Sequence, residues 1–306
     1  MKNPENKNKV AMKNLRNFSI LFSSFLLLFS LFLNPTPTSA EVQLEIDPSQ
    51  VKGESVLVKN LTTGEVLFER DANTPLPLAS LSKLMTAITV KKIQEHWATL
   101  PLKIKLISKG GALNEVDAAV KAGGLMKVND LVSYMLLSSS NFAAYSLTHE
   151  LIPFTSFMAY MNFTAADIGL ENFHFVNGSG LTETGKNMTI DERNSIGSAH
   201  DVAKILNKIV VSYPELAKVT RVSDAMITTT SGKKIPISNT NKLLDSLDGI
   251  YLGKTGFTDD AGGNLAIVIE KNGQYYGIVV LGSTKEGRFA DVSYLASGIS
   301  GISSGI

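Results

Sequence analysis

The chain of 306 residues has no cysteine. That absence excludes a disulfide scaffold, a thiol nucleophile, an iron–sulfur cluster and any zinc site built on thiolates. Histidine is scarce: His96, His149, His174 and His200 are the only four. None pairs with another at helical or hairpin spacing and no H-E-x-x-H occurs, so no metal and no cofactor are expected. Neither sign of charge is in excess, with 29 lysines and arginines against 28 aspartates and glutamates. That balance excludes a nucleic-acid binder working by bulk charge, and an acidic disordered tail. A G-x-S-x-G elbow is missing, and Gly110-Gly111 and Gly123-Gly124 lack the lysine and the strand-to-helix setting of a phosphate loop. What remains is an apolar-enough chain (44%), long enough to bury a core without staples.

One long hydrophobic run is present, near the N terminus. Lys2, Lys7, Lys9, Lys13 and Arg16 stand against the single acid Glu5, and an apolar run broken only by serines follows from Phe18 to Leu33. Asn34-Pro35-Thr36-Pro37-Thr38-Ser39-Ala40 comes next. Positive, apolar, helix-breaking and then small is the order of a secretory signal. A spanning helix uses about 20 apolar residues, and this run is shorter. Residues 1–40 are therefore expected to be a signal peptide cleaved after Ala40 or, uncleaved, an N-terminal anchor, which would be the chain's only membrane contact. The remainder is expected to be exported. Without this segment the chain has 24 basic and 27 acidic side chains, formally −3 (29 less five, 28 less one). An exported chain without cysteine needs no oxidising compartment, which is compatible with a bacterial cell envelope.

Beyond residue 40, hydrophobic periodicity predicts a β-hairpin from Ser55–Asn60 and Glu65–Arg70 around Leu61-Thr62-Thr63-Gly64. Leu81, Leu84, Met85 and Ile88 recur at helical spacing, which predicts a helix over Ser80–Gln94. Residues 101–127 are glycine-rich and less regular. Four helices are expected next, at Val128–Leu137, Asn141–Leu151, Thr155–Asp167 and Ala199–Val211. Strands return with a hairpin, Ala225–Thr230 and Lys234–Ile237, and then Gly249–Thr255, Gly263–Glu270 and Gln274–Leu281. Asn272-Gly273 is a strong signal for a tight hairpin turn. Ala290–Ile299 closes as a helix. Strands at both ends around a helical insert imply one antiparallel sheet assembled from sequence-distant pieces. A cleft between the two parts is the default place for a ligand.

A serine nucleophile without a histidine needs another base, and a neutral lysine can serve. On a helix, residues three apart share a face. The spacing S-x-x-K occurs as Ser80-Leu81-Ser82-Lys83 and as Ser231-Gly232-Lys233-Lys234. The second falls at a hairpin turn, where the side chains need not converge. The first falls where a loop becomes a helix, so the serine gains the positive end of the helix dipole. Two further tripeptides raise the odds: Ser139-Ser140-Asn141 between two helices, and Lys254-Thr255-Gly256 at the end of a strand. Each alone reads as a cap or a turn. Together, in the order S-x-x-K, S-x-N, K-T-G, they make the set carried by penicillin-binding proteins and class A β-lactamases.

The chain resembles the serine-type D-alanyl-D-alanine carboxypeptidases, the low-molecular-mass penicillin-binding proteins, over about residues 50–300. Pro77 to Ala87 resembles the block around the family's nucleophile, and Thr62-Gly64-Glu65-Val66-Leu67 its opening hairpin. Phe175, Asn177, Gly180 and Leu181 resemble a segment after the second motif. Asp248-Gly249-Ile250, Lys254 to Thr258 and Ala261-Gly262 resemble the third block. The resemblance implies an α+β, β-lactamase/transpeptidase-like fold, with a five-stranded antiparallel sheet flanked by helices plus a helical subdomain. Residues 41–306 would form the catalytic domain, 41–100 and 215–306 the sheet part and 101–214 the helical part. It also implies roles. Ser80 would attack the D-Ala-D-Ala carbonyl and become acylated, Lys83 would take its proton, and Ser139 would relay a proton to the leaving amine. Asn141 would line the opposite wall. Lys254 and Thr255 would hold the substrate carboxylate, Gly256 would let the substrate backbone approach, and the N–H groups of Ser80 and Phe257 would form the oxyanion hole. The implied partners are a peptidoglycan stem peptide ending in D-Ala-D-Ala and β-lactam antibiotics as covalent inhibitors.

Ser140 stands where glycine is frequent in the family and is expected to do little. Gly263-Asn264 replaces bulkier residues, which predicts a different cleft floor. Three other activities compete. A D,D-endopeptidase would use the same residues on crosslinks. A class A β-lactamase needs a glutamate in E-x-x-L-N, and Glu171-Asn172-Phe173-His174-Phe175 does not fit. A non-catalytic wall-binding module is disfavoured by the full set of reactive residues.

Overall fold

A computed structural model describes residues 44, 46–97, 100–108, 113–121, 124–185, 188–229 and 232–300. The leader expected over residues 1–40, and Ser231 of the second S-x-x-K, lie outside the described residues. In chain order the strands are β1 (Ser55–Asn60), β2 (Val66–Arg70), β3 (Leu76–Pro77), β4 (Lys103–Lys105), β5 (Leu125–Lys127), β6 (Ile196–Gly197), β7 (Asp224–Thr228), β8 (Lys234–Ser238), β9 (Ile250–Thr258), β10 (Gly262–Lys271) and β11 (Gln274–Ser283). The helices are α1 (Ser82–His96), α2 (Glu115–Lys121), α3 (Val128–Leu137), α4 (Asn141–Glu150), α5 (Phe154–Ile168), α6 (Ile190–Arg193), α7 (Ala199–Ser212), α8 (Pro214–Thr220) and α9 (Gly287–Ser300).

The expected sheet is there: five antiparallel strands in the order β2-β1-β11-β10-β9. Strand β1, from the start of the described chain, is paired with β11, near its end, from Ser55 opposite Leu281 to Asn60 opposite Tyr276. The hairpin β10–β11 turns at Asn272-Gly273, where φ is 52° and 72°. Two successive positive φ values are what a type I′ turn demands, and asparagine followed by glycine tolerates them.

The central strands are apolar on both faces, because both faces are covered. Leu57, Leu252, Ala266, Val268, Val279 and Leu281 face the larger core, shared with α1, α3, α4, α5 and α7. Their neighbours Val56, Val58, Leu265, Ile267, Ile278 and Val280 face the other way, onto Phe289, Val292, Leu295 and Ile299 of α9. Successive strand residues alternate faces, so an unbroken apolar run feeds two cores at once. Helix α1 is buried from Ser82 through Val90. Each of its fully buried Leu84, Met85 and Ile88 contributes about 1.5–3 kcal/mol of burial. Helix α7 begins with a capping box, Ser198 with Asp201, and the buried Asp201 carboxylate also accepts the backbone N–H groups of Glu171 and Asn172.

Residues 101–127 are more regular than their glycine content suggests. The described parts form the ribbon β4–β5 and the helix α2. Strands β3, β6 and helices α6 and α8 are too short for periodicity to show. Among the described residues, no helix is long and apolar enough to cross a membrane.

Candidate active site

Ser80 lies in a 3-10 turn, Ala79–Leu81, and α1 starts two residues later at Ser82. The expected helix start at Ser80 is thus displaced. Ala79 has φ of 48°, a left-handed value that a continuous helix does not contain. Two glycines make the turn possible. A Cβ on Gly180 would lie 1.8 Å from the Ala79 carbonyl oxygen, and one on Gly256 would lie 2.9 Å from the Leu78 oxygen and 3.2 Å from the Ser80 nitrogen. The nucleophile turn is gripped between the loop at Gly180 and the strand β9.

Lys83 is fully buried on the first turn of α1. Its Nζ reaches three acceptors: Ser80 Oγ at 2.7 Å, Asn141 Oδ1 at 2.8 Å and the Ser179 carbonyl at 2.6 Å. An ammonium donates to all three. A neutral amine has two N–H bonds and one lone pair, and neither an amide oxygen nor a carbonyl can donate to that lone pair. Loss of the proton therefore reverses one contact only, and the lone pair faces the Ser80 hydroxyl. Burial pushes the Lys83 ammonium well below the ordinary lysine range, and the nearby Lys254 charge pushes it further.

The carbonyl of Ser179 is held by Asn177. Its Oδ1 accepts from the N–H of Ser179 and of Gly180, and its Nδ2 donates to the Leu181 carbonyl. On the facing wall, Ser139 has φ of 57° in the link between α3 and α4. Ser140 does more than expected. Its Oγ caps α4 by accepting the Ala143 N–H at 3.1 Å, and it donates to the buried Asp117 carboxylate at 2.7 Å. Tyr134 donates to the same carboxylate oxygen.

The third wall is β9, with Lys254-Thr255-Gly256 inside the strand rather than at its end. Lys254 Nζ donates to Ser139 Oγ at 2.8 Å and to the Thr255 carbonyl at 3.0 Å, so the strand wall touches the S-x-N wall. Thr255 Oγ1 lies 2.6 Å from Thr240 Oγ1. Burial and the Arg288 charge pull Lys254 down to about 7. Arg288, at the start of α9 and 7% exposed, donates to the Gly256 carbonyl. Gly263 and Asn264, singled out in the sequence, are tightly held beside this wall. Asn264 Nδ2 donates to the Pro77 carbonyl at 2.9 Å and its Oδ1 accepts the Gly282 N–H. A Cβ on Gly263 would sit 2.1 Å from the Thr284 oxygen.

All eight sequence-predicted residues belong to these three walls. Phe257, next to Gly256, is 40% exposed, with Lys285 Nζ 5.3 Å from its ring centre. The roles of the Ser179 carbonyl, Thr240 and Arg288 were not foreseen. Only Asn177-Gly178-Ser179-Gly180 carried a signal, as a tight-turn run inside a segment already singled out. Glu171 pairs with Lys204 at the surface, and His200 with Glu69.

A family model described as D-alanyl-D-alanine carboxypeptidase, Peptidase S11, matches residues 41–285. The D-alanyl-D-alanine endopeptidase of Escherichia coli (strain K12) is 29% identical over 289 residues, 91% of this chain and 87% of that protein. The D-alanyl-D-alanine carboxypeptidase DacF of Bacillus subtilis (strain 168) is 27% identical over 79% of this chain and 60% of its own length. Among solved structures, penicillin-binding protein D2 of Listeria monocytogenes in its ampicillin-bound form superposes with a TM-score of 0.70 at 31% identity, over 81% of this chain and 97% of that one. With a lysine amine facing a serine hydroxyl across one helical turn, and the family model spanning most of the chain, the protein belongs to the D-alanyl-D-alanine carboxypeptidase family of serine peptidases, S11.

Proposed function

We propose that the chain is a serine D,D-carboxypeptidase that removes the terminal D-alanine from peptidoglycan stem peptides. The observation that carries this is the 2.7 Å contact of a buried Lys83 amine with Ser80, its other two partners being unable to donate. At pH 7 an ordinary lysine is neutral only about once in 2,500, and the depressed Lys83 supports a base role. Ser80 Oγ attacks the carbonyl carbon of the D-Ala–D-Ala bond while its proton passes to Lys83. The N–H groups of Ser80 and Phe257 stabilise the oxyanion, and losing one such donor costs about 10²–10³ in rate. Collapse breaks the C–N bond, a proton reaches the leaving amine through Ser139, and D-alanine departs. Water then hydrolyses the ester on Ser80. Lys254 and Thr255 hold the terminal carboxylate, while the space left at Gly256 seats the nucleophile turn against β9. Asn141 and Ser179 also stand in the wall of a cavity of about 650 Å³, which offers space for the acyl part of the peptide.

The test is incubation with an acyl-D-Ala-D-Ala peptide, with released D-alanine expected, and with a labelled penicillin, whose adduct is expected on the fragment containing Ser80. No release and no adduct would overturn the reading. The ampicillin-bound Listeria relative supports β-lactams as covalent inhibitors. The Escherichia coli relative named as an endopeptidase favours a second reading, cleavage of crosslinks. Turnover of a crosslinked dimer faster than of the linear peptide would establish it. The N-terminal pattern and the cell-wall chemistry together support export to the bacterial envelope, with residues 1–40 cleaved or kept as an anchor.

The pH profile follows from the two lysines. Lys83 must be neutral to take a proton, so the acid limb of kcat/KM reports its ionisation in the free enzyme. Lys254 must be charged to hold a carboxylate, so the alkaline limb falls near its value of about 7. In kcat that limb shifts upward, because a bound carboxylate favours the ammonium. Stopped assays across pH 5–10 are expected to show a bell for kcat/KM; a rise that continues to pH 10 would contradict the carboxylate role of Lys254.

A further inference from the structure

Thr240 lies outside the three motifs, yet its hydroxyl oxygen is only 2.6 Å from that of Thr255 in the K-T-G strand. Thr240 sits between β8 and β9, and its neighbours are pinned. Asn239 Nδ2 donates to the carbonyls of Thr220 and Val222, both at 3.0 Å, and its Oδ1 accepts the Asn241 N–H at 2.9 Å. Asn241 Oδ1 in turn accepts the Leu243 N–H. Gly253 leaves the room for this, since a Cβ there would lie 2.7 Å from Asn241 Nδ2. The Thr240 N–H points to the Leu137 carbonyl at 3.4 Å, two residues before Ser139. Thr240 thus bridges the S-x-N wall and the K-T-G strand from a rigid Asn-Thr-Asn frame.

We propose that Thr240 is a specificity-determining positioning residue: its hydroxyl donates to Thr255 Oγ1, which frees the Thr255 proton for the carboxylate at the end of the substrate. This rests on the peptidase reading of the site. Two hydroxyls hold two protons, and one of them lies in the bond between the oxygens. A carboxylate is a stronger acceptor than a hydroxyl. With one beside Thr255, the Thr255 proton turns to it and Thr240 becomes the donor of the pair. The two bonds then polarise each other in one direction. The preference this gives is for acids over their neutral derivatives. It acts on ground state and transition state alike, so it appears in KM.

The experiment compares Thr240→Val and Thr240→Ser with the parent. The probes are benzylpenicillin, its methyl ester, and an acyl-D-Ala-D-Ala peptide. For Thr240→Val, acylation by the acid is expected to slow about tenfold, the usual scale of a charge-assisted hydrogen bond, with the ester changed less than about twofold. KM for the peptide should rise with kcat nearly kept. Thr240→Ser should restore parent behaviour, and equal melting temperatures would show that all three fold alike. Equal slowing of acid and ester, or no change in either, or no rescue by serine, would overturn the proposal. Failure of the parent to release D-alanine while it still acylates with penicillin would instead sink the peptidase reading, and the acid-to-ester ratio would still test Thr240.

Discussion

Lys83→Met is expected to melt at a higher temperature than the parent and to form no acyl-enzyme. The side chain is fully buried on α1, and its charged form is strongly disfavoured. In the unfolded chain the same lysine titrates near 10.4. Below that value the folded protein therefore either sheds a proton that the unfolded chain keeps or buries a charge, and both favour unfolding. The folded value is the lower one, so stability rises with pH from that value up to the unfolded value. Each such lysine adds about 1.4 kcal/mol per pH unit in that window, and for Lys254 the window opens near 7. Methionine, one atom shorter, keeps most of the side chain's packing without the penalty. The three acceptors it abandons include Asn141, which is exposed, and Ser80 and Ser179, which are partly so, so water replaces much of what is lost. A net gain of roughly 1–3 kcal/mol would raise the melting temperature by several degrees. Calorimetry at pH 7 and pH 10 checks this, with the gap narrowing at pH 10. Acylation by labelled penicillin should fall by about 10⁴-fold or more, as for removal of other members of a catalytic unit. Ser80→Ala should acylate as poorly without the thermal gain. A variant of Lys83 that melts below the parent at pH 7 would refute the account.

Gly180→Ala is expected to cost about 3–5 kcal/mol. At φ of +74°, the added methyl would fall 1.8 Å from the Ala79 oxygen and 2.4 Å from its carbonyl carbon. Those are backbone atoms of the turn that carries Ser80, so relief requires moving the nucleophile. Gly124 is the control. Its φ is +75°, but a Cβ there meets nothing within 4 Å, and Gly124→Ala should lose only about 1–2 kcal/mol and keep full acylation. Urea melts and the stoichiometry of bound penicillin separate the two. Equal behaviour of the two variants would show that backbone strain alone, and not the grip on the turn, sets the effect.

The parts legible beforehand were those encoded by neighbours in the chain. Asn272-Gly273 announced its turn because φ preferences are local. Ser80 and Lys83 were readable because one helical turn is a fixed spacing. The apolar runs of β10 and β11 marked strands, and their burial on both faces emerged only with the two cores. What stayed hidden acts through groups that every residue has, or across long separations. The Ser179 carbonyl is a backbone atom. Arg288 reaches Gly256 from 32 residues away, and Thr240 reaches Thr255 from 15. The left-handed Ala79 sits in space left by Gly180 and Gly256 and reflects no preference of alanine, which is why the helix was placed two residues too early. Ser140 looked idle because its partner Asp117 lies in the glycine-rich stretch where periodicity gave no guide.

The pairing of β1 with β11 sets a temporal order. Synthesis proceeds from the N terminus, so the reactive serine is made early, while the strand that fills the sheet between β1 and β10 is among the last described elements. Closing that gap joins segments more than 200 residues apart, which makes assembly slow. The three walls around Ser80 consequently cannot all be in place until nearly the whole described chain has been made, because β9 and β11 come late in it.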